Sequence, residues 1–199
     1  PSPTKAEHVI HDLSGRIDAI IDGGPVQIGL ESTIVDLTEG LPTILRPGYI
    51  NKQMLEEVVG EVKVDPGILG TENVHVRPKA PGMRYKHYAP KGDLKIVSGE
   101  PDRVIAEINR LAAEGEADSR KVGIIATEET KDLYHAGHVI SIGDRTDEYE
   151  IAHNLFDVLR RMDADGAELI YSEEFSTPRI GNAIMNRLLK AAAHQVIEV

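Results

Sequence analysis

The residues of this chain best suited to chemistry are basic, hydroxyl and phenolic side chains in a few short segments. The longest segment, KAPGMRYKHYAP at Lys79–Pro90, mixes lysine, arginine, histidine and tyrosine with proline and glycine. No aspartate or glutamate occurs from Asn73 to Gly92, so the segment is locally positive in a protein of net charge -11. Because proline and glycine disfavour helices and central strands, the pattern predicts an extended basic strap that closes over a bound anion. An ordinary basic interdomain linker is an equally compatible interpretation.

Other candidate groups lie next to turn-forming residues. Ser2 is a predicted helix N-cap, and the N–H groups at a helix N-terminus can bind phosphate. Ser32 lies in the hydroxyl-rich segment Glu31–Asp36, at the start of a predicted strand. Arg46 precedes a Pro-Gly turn, where a guanidinium can bind phosphate or carboxylate through two parallel hydrogen bonds. Each of the three also has a purely structural interpretation, as a helix cap, a solvent-facing strand edge and a surface salt bridge respectively.

The composition excludes several other kinds of chemistry. The chain has no cysteine, which rules out disulfides, thiolate catalysis and cysteine metal ligands. Its eight histidines are scattered without the spacing of a metal site, and no glycine-rich phosphate fingerprint follows a predicted strand. We therefore predict neither a covalent catalytic residue nor a protein metal ligand. Since there is no long apolar run and no signal-like start, we expect a cytoplasmic protein without a membrane contact.

The order of predicted elements changes at the basic strap. Residues 1–66 combine short strands, including one predicted at Ile17–Ile21, with two helices, the second capped by Asn51 and with Met54, Leu55, Val58 and Val59 predicted to face inward. These pieces are too few for a complete domain, so we expect an N-terminal portion to be missing. Residues 67–93 form the predicted linker or lid. Residues 94–199 alternate strands and helices, including a short helix predicted over Glu128–Tyr134, which predicts a Rossmann-like three-layer domain with a mostly parallel sheet.

The ordered motifs resemble those of the threonylcarbamoyl-adenylate synthase family in its long, two-domain form. They are SPT at Ser2–Thr4, ESTIVD at Glu31–Asp36, LRPG at Leu45–Gly48 and the basic strap. The resemblance implies that residues 1–66 are the C-terminal part of a YrdC-like α/β catalytic domain with a twisted mixed sheet. It also implies that the front of this domain, with its triphosphate-binding basic segment, is missing, as the lack of an initiator methionine suggests. The chain alone is therefore expected to be incomplete for catalysis.

The family resemblance implies a nucleotidyltransferase reaction. L-threonine, bicarbonate or carbon dioxide, and ATP would form threonylcarbamoyl-AMP and pyrophosphate, for the threonylcarbamoyladenosine modification of tRNA. Catalysis would depend on positioning and charge stabilisation, helped by magnesium. Carried over motif by motif, Ser2, Arg46 and Tyr85 would bind ATP, and Ser32 would bind L-threonine. Further partners implied are tRNA or double-stranded RNA and the threonylcarbamoyl transferase proteins that receive the product.

A second interpretation is a non-catalytic YrdC-like module that binds double-stranded RNA or tRNA. Such binding usually needs a broad basic face, whereas positive charge here is concentrated in the basic strap. Binding that falls with added salt and ignores threonine would support the RNA module. Threonine-dependent tightening of ATP binding would support the synthase. A role for residues 94–199 as a brace or docking domain is compatible with the synthase.

Overall fold

The computed structural model describes residues 1–68, 88–175 and 179–199 of the chain. Its elements fall into an N-terminal part with a small sheet and a C-terminal part with a larger one. The N-terminal elements are α1 (Ala6–Leu13), β1 (Ile34–Asp36), β2 (Thr43–Arg46), α2 (Lys52–Val59) and β3 (Lys63–Val64). The C-terminal elements are β4 (Asp93–Ser98), α3 (Pro101–Ala117), β5 (Val122–Ala126), β6 (His138–Ser141), α4 (Glu148–Ala164), β7 (Leu169–Glu173), α5 (Gly181–Ala191) and β8 (Val196–Glu198).

The N-terminal sheet is mixed, as predicted. Its strand order is β1-β2-β3, with β1 antiparallel and β3 parallel to the central β2. A small apolar cluster lies against it, formed by Ile44, Val62 and Ile68 with partly buried neighbours. Because β1 and β2 are antiparallel, the end of β2 lies opposite the start of β1, where Ile34 pairs with Arg46.

Three local predictions for the N-terminal part were wrong. The predicted strand at Ile17–Ile21 is irregular, since no described strand pairs with it. Helix α1 begins at Ala6, after Lys5, so Ser2 does not cap it. In α2 the apolar face predicted to point inward includes Val58, which is 82% exposed because nothing in the described residues packs over it. The predicted cap of α2 is confirmed: the Asn51 side chain accepts a hydrogen bond from the Met54 N–H at 2.9 Å.

The C-terminal sheet confirms the prediction of a Rossmann-like, three-layer arrangement. Its strand order is β6-β5-β7-β4-β8, and every described pairing is parallel. Successive residues of a strand point to opposite faces, so Ile124 packs in the cluster that includes α3 and Ile125 in the cluster that includes α4 and α5. Strand β5 is buried along its whole length. Helices on both faces of the sheet therefore make the core.

The helix predicted between β5 and β6, over Glu128–Tyr134, is reduced to a single 3-10 turn at Lys131–Leu133. The Thr130 hydroxyl donates a hydrogen bond to the buried carboxylate of Glu173 and contacts the Thr127 hydroxyl at 3.1 Å. The Thr130 hydroxyl also accepts a hydrogen bond from the Thr127 N–H at 3.2 Å, and side-chain bonds to the backbone of this kind offer it an alternative to regular helix. The connection therefore forms a polar turn at the carboxyl end of β5.

The two parts of the chain also meet through an ion pair between α1 and α4. The Arg160 guanidinium donates to both oxygens of Asp12, at 3.0 and 2.5 Å, and to the carbonyl oxygens of Pro1 and Ser2, at 2.6 and 3.4 Å. The Arg160 hydrogen bonds hold the pKa of the Asp12 carboxyl well below its ordinary value. Since Asp12 and Arg160 are far apart in sequence, this pair fixes the first helix against the C-terminal domain.

The N-caps of α3 and α4 provide a matched test of helix capping. Asp147 accepts hydrogen bonds from the N–H groups of Tyr149 and Glu150, both at 3.0 Å, whereas Glu100 makes no side-chain cap bond at the start of α3. Asp147→Ala should therefore lower the free energy of unfolding by about 1 kcal/mol. Glu100→Ala should change it by less than about half of that. Urea unfolding of both variants measures the difference, and equal losses would contradict a capping role for Asp147.

Candidate functional site

The end of β2 and the segment before β1 are joined by Arg46. Its Nε donates a hydrogen bond to the carbonyl oxygen of Ser32 at 3.0 Å, and its Nη2 donates to the Ser32 hydroxyl at 3.3 Å. The antiparallel pairing of β1 with β2 makes this contact possible, because it places Arg46 directly across from Ile34. The predicted nucleotide-binding arginine and the predicted threonine-binding serine therefore belong to one cluster. Both side chains remain partly accessible or exposed.

Glu31 joins Ser2 to the same cluster. The Ser2 hydroxyl donates to Glu31 Oε1 at 2.7 Å, and Arg187 Nε donates to Glu31 Oε2 at 2.9 Å. Burial by itself would raise the pKa of Glu31, but these two hydrogen bonds and the Arg187 charge outweigh it, so the pKa lies below its ordinary value. Glu31 is therefore ionised at neutral pH. We call Ser2, Glu31, Ser32, Arg46 and Arg187 the Ser32 cluster.

The turn after β2 packs directly on the segment that carries Ser32. A Cβ atom at Gly48 would lie 2.6 Å from the backbone nitrogen of Thr33 and 2.7 Å from the carbonyl oxygen of Glu31. Thr33 also donates a hydrogen bond from its hydroxyl to the carbonyl oxygen of Ile50, at 2.6 Å. Only glycine allows this close approach of the two backbones. The Pro-Gly turn predicted from the sequence is thus one wall of the Ser32 cluster.

Helix α5 of the C-terminal domain closes the cluster from the other side. Arg187 is 1% exposed, and its Nη1 donates to the carbonyl oxygen of Pro47 at 2.6 Å. Lys190, one turn further along the same helix, is 6% exposed. Burial lowers the pKa of Lys190 to about 8, with further lowering from the charges of Arg187 and Arg46 and an opposing effect from Glu31. Positive charge is therefore concentrated where α5 faces the N-terminal part.

Tyr88, in the described end of the basic strap, also lies near this cluster. Burial raises the pKa of its hydroxyl, and the carboxylate of Glu31 raises it further, while Arg187 and Arg46 act in the opposite direction. The Tyr88 ring packs on Phe156 of α4, with ring centroids 5.3 Å apart. The end of the strap is thus anchored on the C-terminal domain beside the Ser32 cluster.

Comparison with known families assigns the chain. Residues 50–193 match the family model described as the C-terminal domain of threonylcarbamoyl-AMP synthase. The chain belongs to the threonylcarbamoyl-AMP synthase family. Residues 1–48 match a second model, described as "Telomere recombination", of the Sua5, YciO and YrdC proteins. The family predicted from the four ordered motifs is therefore confirmed.

Curated threonylcarbamoyl-AMP synthases resemble this chain over its whole length. The synthase of Bacillus subtilis is 45% identical over 99% of this chain and 55% of its own length. That of Pyrococcus abyssi is 43% identical over 100% of this chain and 56% of its own length. The crystal structure of P. abyssi Sua5 complexed with L-threonine is 42% identical, with a TM-score of 0.88, and covers 100% of this chain. The chain thus spans about half the length of these relatives.

Within this threonylcarbamoyl-AMP synthase fold, three of the four residues predicted to bind substrates lie together, and the fourth lies outside the described residues. Ser2, Ser32 and Arg46, which are separate in sequence, lie in one cluster. The Ser2 hydroxyl donates a hydrogen bond to Glu31, and Ser2 does not cap a helix. The prediction that Ser2 could bind phosphate as a helix N-cap was therefore wrong. Tyr85 lies outside the described residues, as does most of the basic strap.

Sequence reasoning missed the partners of these residues. Glu31 stood within a recognised motif, but only the fold shows that its carboxylate accepts from Ser2 and Arg187. Arg187 and Lys190 had a signal in the sequence: they are cationic residues on the buried face of α5, which also carries Ile184, Leu188 and Ala191. Charged side chains are rarely fully buried without a partner. That pattern could have marked α5 as facing an ionic site.

The described residues do not provide a protein site for magnesium. They include no group of three or more histidine or acidic side chains able to hold a metal ion. In the Ser32 cluster both carboxylate oxygens of Glu31 already accept hydrogen bonds, from Ser2 and Arg187. Magnesium prefers carboxylate, water and phosphate oxygens, so these cationic and hydroxyl groups do not suit it. In the same described parts of the chain, no helix is both long and apolar enough to cross a lipid bilayer.

Proposed function

We propose that this chain forms part of a nucleotidyltransferase that makes threonylcarbamoyl-AMP. Its substrates would be L-threonine, bicarbonate or carbon dioxide, and ATP, and its second product would be pyrophosphate. The observation that carries the proposal is the likeness to the L-threonine complex of P. abyssi Sua5, which extends over all of this chain. The Ser32 cluster supplies hydroxyl and guanidinium groups of the kind that bind a zwitterionic amino acid beside a phosphate chain.

In this proposal Ser32 binds L-threonine, through its hydroxyl. Arg46 holds the Ser32 hydroxyl and backbone, using Nε and Nη2. Among the described residues no hydrogen bond is made by Nη1 of Arg46, so this nitrogen is available for a phosphate oxygen of ATP. Ser2 and Tyr85 complete the proposed ATP contacts. One arginine would thus connect the amino-acid and nucleotide sites.

The proposed chemistry needs positioning and charge stabilisation. A carbamate oxygen, formed from threonine and bicarbonate or carbon dioxide, attacks the α-phosphorus of ATP, and the bond from that phosphorus to the pyrophosphate oxygen breaks. Positive charge from Arg46 would stabilise the charge that develops on the phosphates. Closure of the basic strap would exclude water and protect the labile carbamate from hydrolysis. Magnesium would accompany ATP through its phosphates, since the described residues offer it no carboxylate site.

The remaining partners follow from the same proposal. The product would pass to threonylcarbamoyl transferase proteins that modify tRNA, and a cytoplasmic location gives access to both ATP and tRNA. Direct contact of tRNA or double-stranded RNA with a concave basic surface of the YrdC-like part is the rival interpretation. Titration with tRNA at two salt concentrations separates the two interpretations, because phosphate binding weakens steeply with salt and threonine binding does not.

The proposal predicts a selective effect of removing the Ser32 hydroxyl. Ser32→Ala should weaken threonine binding about fivefold, since one net hydrogen bond is worth ~1 kcal/mol, and should leave ATP binding nearly unchanged. Ser14→Ala is a matched control, because Ser14 is exposed at the end of α1. Isothermal titration of each variant with L-threonine and with ATP makes the measurement. A loss of ATP affinity with unchanged threonine affinity would move Ser32 to the phosphate site.

Activity requires a second measurement, because the chain covers only 55% of the B. subtilis relative. We would join the part of that relative outside the matched region to this chain, in the relative's own order. Pyrophosphate release from ATP should then depend on both threonine and bicarbonate. Release that ignores threonine, in a chimera that binds it, would overturn the proposed reaction.

A further inference from the structure

Arg187 makes contacts that the proposed chemistry alone does not explain. It is buried on α5 of the C-terminal domain, yet among the described residues of that domain its guanidinium donates only to the Asn186 side chain, at 3.4 Å. Its stronger bonds cross to the N-terminal part, where it reaches Glu31 Oε2 at 2.9 Å and the Pro47 carbonyl oxygen at 2.6 Å. A further contact reaches the Glu31 carbonyl oxygen at 3.4 Å. The side chain therefore connects one domain with two separate segments of the other.

The two segments that Arg187 contacts are those that carry the proposed substrate-binding groups. Glu31 directly precedes Ser32, and Pro47 directly follows Arg46. Arg46 in turn bonds to Ser32, and Gly48 packs on Thr33 with almost no spare distance. A shift of either segment would change the position of the Ser32 hydroxyl relative to Arg46. Arg187 thus lies where it can fix their separation.

We propose that Arg187 is a positioning residue for threonine binding, which acts from the C-terminal domain by holding the segments before Ser32 and after Arg46 at a fixed separation. The identity of the ligand rests on the proposed function, but the geometry of the cluster does not. A planar guanidinium suits this task because it donates along several directions at once, to a carboxylate and to carbonyl oxygens. A lysine offers its donors from a single nitrogen and cannot reproduce all of these bonds.

A contribution to stability does not by itself explain why Arg187 and Glu31 form a buried ion pair. Desolvating an arginine and a glutamate costs free energy that their attraction often only offsets, and apolar residues of similar volume frequently serve as well. Burial itself lowers the pKa of Arg187, which shows the cost of keeping the charge there, while Glu31 counteracts it. A buried ionic contact is better suited to fixing a unique geometry, and here the fixed geometry is that of the Ser32 cluster.

The test compares Arg187→Met with Arg160→Met. Arg160 is a second arginine whose side chain connects the C-terminal part with the N-terminal part. Arg160 pairs with Asp12 and with the carbonyl oxygens of Pro1 and Ser2, and among the described residues it makes no hydrogen bond to residues 31–36 or 43–48. Hydrogen exchange of the 199-residue chain, read by mass spectrometry over residues 31–36 and 43–48, reports the position of both segments. Arg187→Met should lose protection there at least tenfold while α3 keeps its protection. Arg160→Met, which reaches the Ser32 cluster only through the Ser2 carbonyl oxygen, should lose much less protection in these segments than Arg187→Met.

Threonine titration adds the functional readout. Arg187→Met should bind L-threonine at least tenfold more weakly than the native chain, and Arg187→Lys should recover part of both affinity and protection. Unchanged protection in Arg187→Met, or equal loss in Arg160→Met, would overturn the positioning role. If the native chain binds no threonine, the proposed function of this chain fails, while the exchange result still decides whether Arg187 fixes the segments. If Arg187→Met does not fold, the same exchange measurement is made on Arg187→Lys. Native protection of both segments in Arg187→Lys would then contradict the positioning role.

Discussion

Replacing Gly48 by alanine should weaken threonine binding about tenfold or more, without unfolding the C-terminal domain. The added Cβ atom would stand 2.6 Å from the Thr33 nitrogen and 2.7 Å from the Glu31 carbonyl oxygen, and both obstacles are backbone atoms. Backbone cannot rotate away as a side chain can, so the segment that carries Ser32 must shift. Overpacking of this kind typically costs about 1–3 kcal/mol, and a displaced Ser32 hydroxyl loses its aligned hydrogen bond as well. Isothermal titration with L-threonine measures the loss.

Gly23→Ala is the matched control for Gly48→Ala. A Cβ atom at Gly23 would meet nothing within 4 Å, and neither glycine has a backbone angle that excludes alanine. Gly23→Ala should therefore bind threonine with native affinity. The explanation for Gly48 would be wrong if its alanine variant bound threonine normally, since the two segments would then not need their close contact.

The burial of Lys190 should make stability depend on pH in the alkaline range. Its pKa of about 8 in the folded protein lies below the ordinary value of 10.5, so the unfolded chain binds more protons between these two values. The free energy of unfolding should therefore rise as the pH increases from 8 to 10.5, by at most about 3 kcal/mol from this residue. Below pH 8 the lysine is protonated in both states and the full penalty of burying its charge remains.

Urea unfolding at several pH values, in the native chain and in Lys190→Met, isolates this contribution. The variant should lack the alkaline rise, because methionine keeps the volume of the side chain but carries no proton that titrates. Lys121→Met provides the comparison at an exposed lysine and should retain the native pH dependence. A rise of equal size in the native chain and Lys190→Met would contradict the assignment to Lys190.

The sequence was sufficient to predict the strands and the long helices of the C-terminal domain, because their apolar periodicity is local and strong. Strand β5 illustrates this: a wholly apolar run between turns becomes the fully buried strand expected of a parallel sheet. The wrong predictions occurred where side chains or missing neighbours decided the structure. Thr130 forms bonds that replace a helix, and the apolar run at Ile17–Ile21 has no described strand to pair with.

The candidate site, too, could be predicted from the sequence only in part. Motifs identified Ser2, Ser32 and Arg46, because hydroxyl and guanidinium groups beside turns can be recognised within a few residues. Their arrangement depends on contacts that no local pattern contains, since Glu31 and Arg187 are 156 residues apart. Local periodicity does show that Arg187 faces inward on α5, but it cannot show which carboxylate meets it.

Helix α5 has a thermodynamic consequence beyond the geometry of the site. It belongs to the core of the C-terminal domain and, through Arg187, to the cluster proposed to bind threonine. Affinities at two sites that share one structural element are coupled by the same factor in both directions. A molecule that binds the C-terminal domain and displaces α5 would therefore weaken threonine binding, and threonine would weaken the binding of that molecule to the same extent. The domain that carries none of the proposed substrate-binding residues would thus be able to regulate how tightly they hold their ligand.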